Sequence, residues 1–294
     1  MFRGLFVAMV TPFKGGAVDR EAVTALTKTL VDAGCDGLVP CGCTGEAATL
    51  TPDERREVIR LVVERAKGKC SVVAGTGTNN TLESITHSKA AEELGADGVM
   101  LITPYYNKPG PEGQYEHFRA VAASVKIPVV LYNVPGRTGV NMLPETVWKL
   151  AELSNVVAIK EASGSLDQAS LILSKWEGGS SAPFTLLSGD DSLALPMLAV
   201  GASGVISVAA NVVPEMLKRM LDLFFAGDTE GAKRIHFQLL PLFKALFLEA
   251  NPSPIKKACE LMGLFSGELR LPLVPVRRET EEALKRELKK LGKV

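Results

Sequence analysis

Eight short apolar, β-branched runs recur along the chain, over residues 5–10, 37–40, 71–74, 98–102, 128–132, 156–159, 184–187 and 204–208. Their starts lie roughly 20 to 35 residues apart, the length of a strand plus a crossover helix. Runs this uniformly apolar suit strands covered on both faces, as in a parallel sheet. The stretches between them carry helical period and boundary signals. Thr51-Pro52-Asp53-Glu54 ahead of Val58, Ile59, Leu61 and Val62 predicts an N-cap with proline at the first helical position, and Gly95 predicts the end of a helix over 82–94. Eight βα units in this alternation predict an α/β fold, a closed (β/α)8 TIM barrel, with an open doubly wound sheet as the alternative.

Beyond the eighth run roughly 80 residues remain, with helical patterns over 216–225, 231–247, 254–262 and 279–291. Only the first is needed to complete a barrel. The expected organisation is therefore a catalytic barrel over residues 1–225 and a C-terminal helical region over 226–294 packed on it, since no Gly- or Ser-rich linker frees the tail.

Charge narrows the function classes. The 33 basic and 33 acidic residues balance, and no Lys/Arg block is long enough to follow a phosphate backbone, so nucleic acid is not an expected partner. No stretch of about 18 apolar residues occurs and the first residues lack the regions of a signal peptide, so no membrane association and a cytoplasmic location are expected. Five cysteines, at 35, 41, 43, 70 and 259, lack CxxC spacing, and His87, His117 and His236 fall in helix-like segments elsewhere. Cys41-Gly42-Cys43 therefore reads as reduced thiols, with no metal site.

In a barrel of this kind chemistry sits at the carboxyl ends of the strands. The residues there are small, polar or aromatic: Thr11-Pro12, Cys41-Gly42-Cys43-Thr44-Gly45-Glu46, Gly75-Thr76-Gly77, Thr103-Pro104-Tyr105-Tyr106-Asn107, Tyr132-Asn133-Val134-Pro135-Gly136-Arg137-Thr138, Lys160-Glu161 and Ser188-Gly189-Asp190-Asp191. Lys160 stands out because it ends the apolar run Val156-Val157-Ala158-Ile159. A lysine there either snorkels to the surface or is held in a dry site. In a dry site desolvation disfavours the ammonium form and leaves more free amine to attack a carbonyl and form a Schiff base.

Taken in order, Gly42-Cys43-Thr44-Gly45-Glu46, Pro104-Tyr105-Tyr106-Asn107-Lys108-Pro109, Tyr132-Asn133-Val134-Pro135-Gly136-Arg137-Thr138-Gly139, Ile159-Lys160-Glu161-Ala162 and Leu187-Ser188-Gly189-Asp190-Asp191 resemble the motif series of the pyruvate-dependent class I aldolase superfamily, and within it the dihydrodipicolinate synthases. The resemblance extends from Phe2-Arg3-Gly4 to Leu269-Arg270-Leu271-Pro272-Leu273. It implies a lyase of lysine and diaminopimelate biosynthesis that condenses pyruvate with L-aspartate 4-semialdehyde and needs no cofactor beyond the covalent Schiff base. By motif position Lys160 is the Schiff-base lysine and Tyr132 the proton shuttle. Thr44 and neighbouring backbone N–H groups grip the pyruvate carboxylate, as a helix start is suited to do, and Gly189 and Ile206 supply main-chain carbonyls. Tyr106 reaches across a dimer interface to complete a neighbour's proton relay, in a homotetramer built as a dimer of dimers.

Arg137 separates the subfamilies, because its guanidinium forms a bidentate fork for a carboxylate. Relatives acting on 2-keto-3-deoxy sugar acids or N-acetylneuraminate, the alternative reading, commonly carry other residues there. The chain departs from the usual pattern at Cys43, which replaces a threonine whose hydroxyl links the two tyrosines; a thiol is the weaker partner. Asn79, Glu83 and Tyr105 match groups that hold the feedback inhibitor L-lysine in sensitive members, as an allosteric remnant. Ala47, Pro52 and Arg55 depart from that pattern, and weak or absent inhibition by lysine is expected.

Overall fold

The structure is a computed structural model describing residues 2–176 and 184–294. Eight parallel strands pair in chain order and close into a barrel: Gly4–Ala8, Gly37–Val39, Ser71–Gly75, Gly98–Ile102, Val129–Asn133, Val156–Glu161, Thr185–Ser188 and Gly204–Ser207. The closed TIM barrel is thus the observed architecture, and the open sheet is excluded. Two strand ends, those of the first and sixth strands, differ from expectation by two residues, for local reasons. The first strand stops at Ala8 because the Asn211 side chain takes over the pairing, donating to Ala8 O at 2.8 Å and accepting from Val10 N at 3.2 Å. The sixth runs on through Lys160 and Glu161 because both still have neighbours on each side, Tyr132 and Asn133 on one and Leu187 and Ser188 on the other.

Packing divides the chain into two compact units, Met1–Gly4 with Val72–Ile206 and Leu5–Ser71 with Ser207–Val294. The second unit contains the first two strands and the helices Pro214–Phe225, Thr229–Ala245, Ser253–Leu261 and Arg278–Lys290, which the sequence placed within a few residues. Within it Phe6 pairs with Gly37, where a Cβ would stand 2.0 Å from the phenyl ring, so only glycine leaves room for that ring. Helix Pro52–Ala66 opens with the expected cap. Thr51 and Glu54 form a reciprocal capping box, and the Glu54 carboxylate also receives both terminal nitrogens of Arg270 at 2.7 and 2.5 Å. The Arg270 hydrogen bonds hold Glu54 down at about pKa 2.

In the first unit helix Thr81–Glu93 ends as the sequence predicted. Gly95 takes φ +86° and Ala96 N donates back to Ala91 O, a left-handed C-terminal turn that favours glycine. On the neighbouring helix, Pro111–Ala122, His117 is buried and shares a 2.9 Å hydrogen bond with Thr81 Oγ1 through Nδ1. Its Nε2 has no hydrogen-bonding partner among the described residues, and burial lowers its pKa from 6.5 to about 4. A depressed folded value means that the neutral imidazole is favoured by folding. That stability is fully present above pH 6.5 and is lost as pH falls through about 4, a contribution of about 3 kcal/mol. Urea unfolding should therefore lose more stability between pH 7 and pH 4.5 in this protein than in His117→Gln; equal losses would contradict the assignment.

Candidate active site

The fifth and sixth strands lie side by side with Tyr132 level with Lys160 and Asn133 level with Glu161. Successive strand residues face opposite ways, so this register sorts the four side chains into two pairs. On one face Lys160 is only 4 % exposed and its Nζ stands 4.4 Å from the centroid of the Tyr132 ring. The amine is thus withdrawn from water and set beside an aromatic that carries an ionisable hydroxyl. Gly189, after the seventh strand, completes this wall. Its N–H donates to Glu161 O at 2.8 Å, and a Cβ there would approach Lys160 Cε to 3.2 Å and the Ala162 Cβ to 2.6 Å. Absence of a side chain at 189 is what leaves the lysine its space. Ile206, at the end of the eighth strand, is buried.

The other face of the same strand pair is polar and sealed. Glu161 and Asn133 are fully buried, and the Glu161 carboxylate accepts from Ser163 N at 2.6 Å, from Gln168 Nε2 at 3.1 Å and from Asn133 Nδ2 at 3.1 and 3.3 Å. A buried carboxylate is tolerated when several N–H groups point at it.

Beyond the fifth strand, Arg137 sits exposed on the short helix Pro135–Thr138. Tyr106 is 89 % exposed and held at φ +68°, a conformation rarely adopted by a bulky side chain. Next to it Asn107 Nδ2 donates to Asn79 O at 2.8 Å, joining the Tyr105 loop to the start of the helix that carries the exposed Glu83.

Cys43 and Thr44 belong to the second unit. Cys43 is a half-buried free thiol, and Thr44 is buried with its Oγ1 accepting from Asn251 Nδ2 at 2.9 Å. No helix starts at Thr44, contrary to expectation. The segment is a tight turn in which Gly45, Glu46 and Ala47 donate their N–H groups to Gly42 and Cys43 carbonyls, a short 3-10 turn follows at Ala47–Thr49, and the true helix begins only at Pro52. These three N–H groups are spent inside the loop. The turn is anchored by a fully buried ion pair, Lys256 Nζ to Glu46 Oε1 at 2.6 Å, with Arg270 N donating to Glu46 Oε2. Burial pulls the Lys256 ammonium below its ordinary range, and the Glu46 carboxylate opposes that pull. Arg55 is buried as well, its NH2 donating to Ala47 O at 2.9 Å.

Comparison with known proteins decides the family. Residues 1–291 match the model of the dihydrodipicolinate synthetase family. The chain belongs to this family. It is 52 % identical over 276 residues to the 4-hydroxy-tetrahydrodipicolinate synthase of Pelobacter propionicus, covering 94 % of each chain. It is 50 % identical over 292 residues to that of Geotalea uraniireducens, covering 99 % of each. The crystal structure of dihydrodipicolinate synthase from Aquifex aeolicus superposes with a TM-score of 0.96 at 46 % identity, over 99 % of this chain and 98 % of that one.

Within a dihydrodipicolinate synthetase family barrel, several well-placed residues escape a reading of the sequence. Asn133 and Glu161 stand inside recognisable motifs, yet only the strand register reveals that they share the face behind Lys160. Lys256 carried one available signal, a charged residue between Ile255 and Ala258 on the apolar face of its helix. The three histidines lie on helices as expected, and among the described residues no cluster could hold a metal ion and no helix is long and apolar enough to cross a membrane.

Proposed function

We propose that this protein is a 4-hydroxy-tetrahydrodipicolinate synthase acting through a Schiff base on Lys160. The observation that carries the reading is the buried Lys160 amine 4.4 Å from the Tyr132 ring, at strand ends of a dihydrodipicolinate synthetase family barrel. Lys160 Nζ attacks the keto carbon of pyruvate and water leaves. The resulting iminium draws electrons from the methyl group, which loses a proton to give an enamine. The enamine carbon bonds to the aldehyde carbon of L-aspartate 4-semialdehyde, whose amine then displaces Lys160 as the ring closes. Tyr132 moves the protons, a role suited to a phenol held next to the amine. Gly189 and Ile206 contribute main-chain carbonyls, and Thr44 holds the pyruvate carboxylate through its hydroxyl, with Cys43 beside it as a weak link of the proton relay. No cofactor takes part.

Tyr106 completes the relay of a second copy, in a cytoplasmic dimer of dimers; its exposure and left-handed backbone support a side chain held outward for a partner. Asn79, Glu83 and Tyr105 are the remnant of an amino-acid site at which L-lysine inhibits weakly or not at all. Arg137 binds the carboxylate of the semialdehyde, and its removal provides the test. Arg137→Ala should lower kcat/KM for the semialdehyde by about 2–4 kcal/mol while leaving pyruvate adduct formation intact. Equal damage to the pyruvate half-reaction would make the arginine structural and remove the support for this second substrate.

A further inference from the structure

Arg137 rides on a segment, residues 134–140, that is tied to itself. Arg137 and Thr138 N–H groups donate to Val134 O, Gly139 N donates to Pro135 O, and Thr138 Oγ1 donates to Val140 O. Such a segment keeps its own shape, so the place of the guanidinium depends on how its two stems are held. Both stems meet at one side chain. Asn133, the residue before the segment, donates from Nδ2 to Asn141 Oδ1 at 2.7 Å and accepts Met142 N on Oδ1 at 3.0 Å. Asn141 is fixed in turn by Gln168, which accepts from Asn141 Nδ2 at 2.7 Å and donates to its Oδ1 at 3.2 Å. Glu161 joins the two, accepting from Asn133 and Gln168 together.

We infer that Asn133, Asn141, Gln168 and Glu161 form a clasp that sets the position of Arg137 and thereby the preference for an aldehyde bearing a carboxylate. This rests on the reading of Arg137 given above. None of the four acts on the reacting atoms; they are positioning residues. The arrangement has a specific economy of sequence: the step from Lys160 to Glu161 puts the nucleophile on one face of the strand and the base of the clasp on the other. Every amide in the clasp is matched donor to acceptor, so turning one acceptor into a donor breaks it without changing volume.

The test is a double-mutant cycle between Asn141→Ala and Arg137→Ala, read as KM and kcat for each substrate and as pyruvate trapping by borohydride. Asn141→Ala should raise KM for the semialdehyde about tenfold, change KM for pyruvate and the trapped fraction less than about twofold, and add little to Arg137→Ala. Glu161→Gln, which sets an amide against the Asn133 and Gln168 donors, should show the same split; Asn141→Ala alone carries the test if that variant does not fold. Additive losses, or a loss shared equally by the pyruvate step, would overturn the clasp and leave the Arg137 reading standing. An Arg137→Ala variant with unchanged semialdehyde kinetics would overturn both.

Discussion

Lys160→Ala should lose at least about a thousandfold in turnover, about 4 kcal/mol of transition-state stabilisation. In the proposed mechanism this side chain forms the covalent bond to pyruvate, and alanine carries no amine to take its place. On the neighbouring strands its level partners are Tyr132 and Leu187. Folding should survive, because the residue sits at a strand end where the backbone pairing, not the amine, holds the register. Steady-state assays alongside circular dichroism would check this. A well-folded Lys160→Ala protein with activity within tenfold of the original would refute the covalent mechanism.

Lys256→Met should lower folding stability by about 3–5 kcal/mol, because it leaves the Glu46 carboxylate charged and buried with its cation gone. In a chain of this size that corresponds to a fall in thermal midpoint of roughly 10 °C. The pair Glu46→Gln with Lys256→Met should recover more than half of the loss, since removing both charges removes the uncompensated one. Scanning calorimetry on the two single variants and the double would decide. A double variant no more stable than Lys256→Met would show that the side chains matter through packing, where Lys256 also lies 4.1 Å over the Phe13 ring.

The barrel was legible because strands buried on both faces leave continuous apolar runs, and because caps such as Thr51 with Glu54 mark where helices begin. Lys160 was legible for the same reason, as the first charged residue after such a run. What stayed hidden depends on lateral register or on distant partners. Asn133 and Glu161 meet only through the pairing of two strands, and Glu46 finds Lys256 across 210 residues of chain, as Thr44 finds Asn251 across 207. The loop carrying Thr44 misled because a glycine-flanked motif followed by a capped helix looks like a helix start. Glu46 instead turns through φ +53°, and the helix waits until Pro52. Arg55, which the sequence marks only as a departure from the lysine-binding pattern, is buried on Ala47 O, and Glu54 is taken by Arg270.

Under the proposed mechanism Lys160 is the residue that becomes covalently attached to pyruvate. Borohydride reduction in the presence of pyruvate, followed by peptide mapping with mass spectrometry, measures this directly. The expected result is a reduced pyruvyl group on the peptide containing Lys160, with parallel loss of activity. An adduct on another lysine, or persistent activity with no adduct at all, would contradict it.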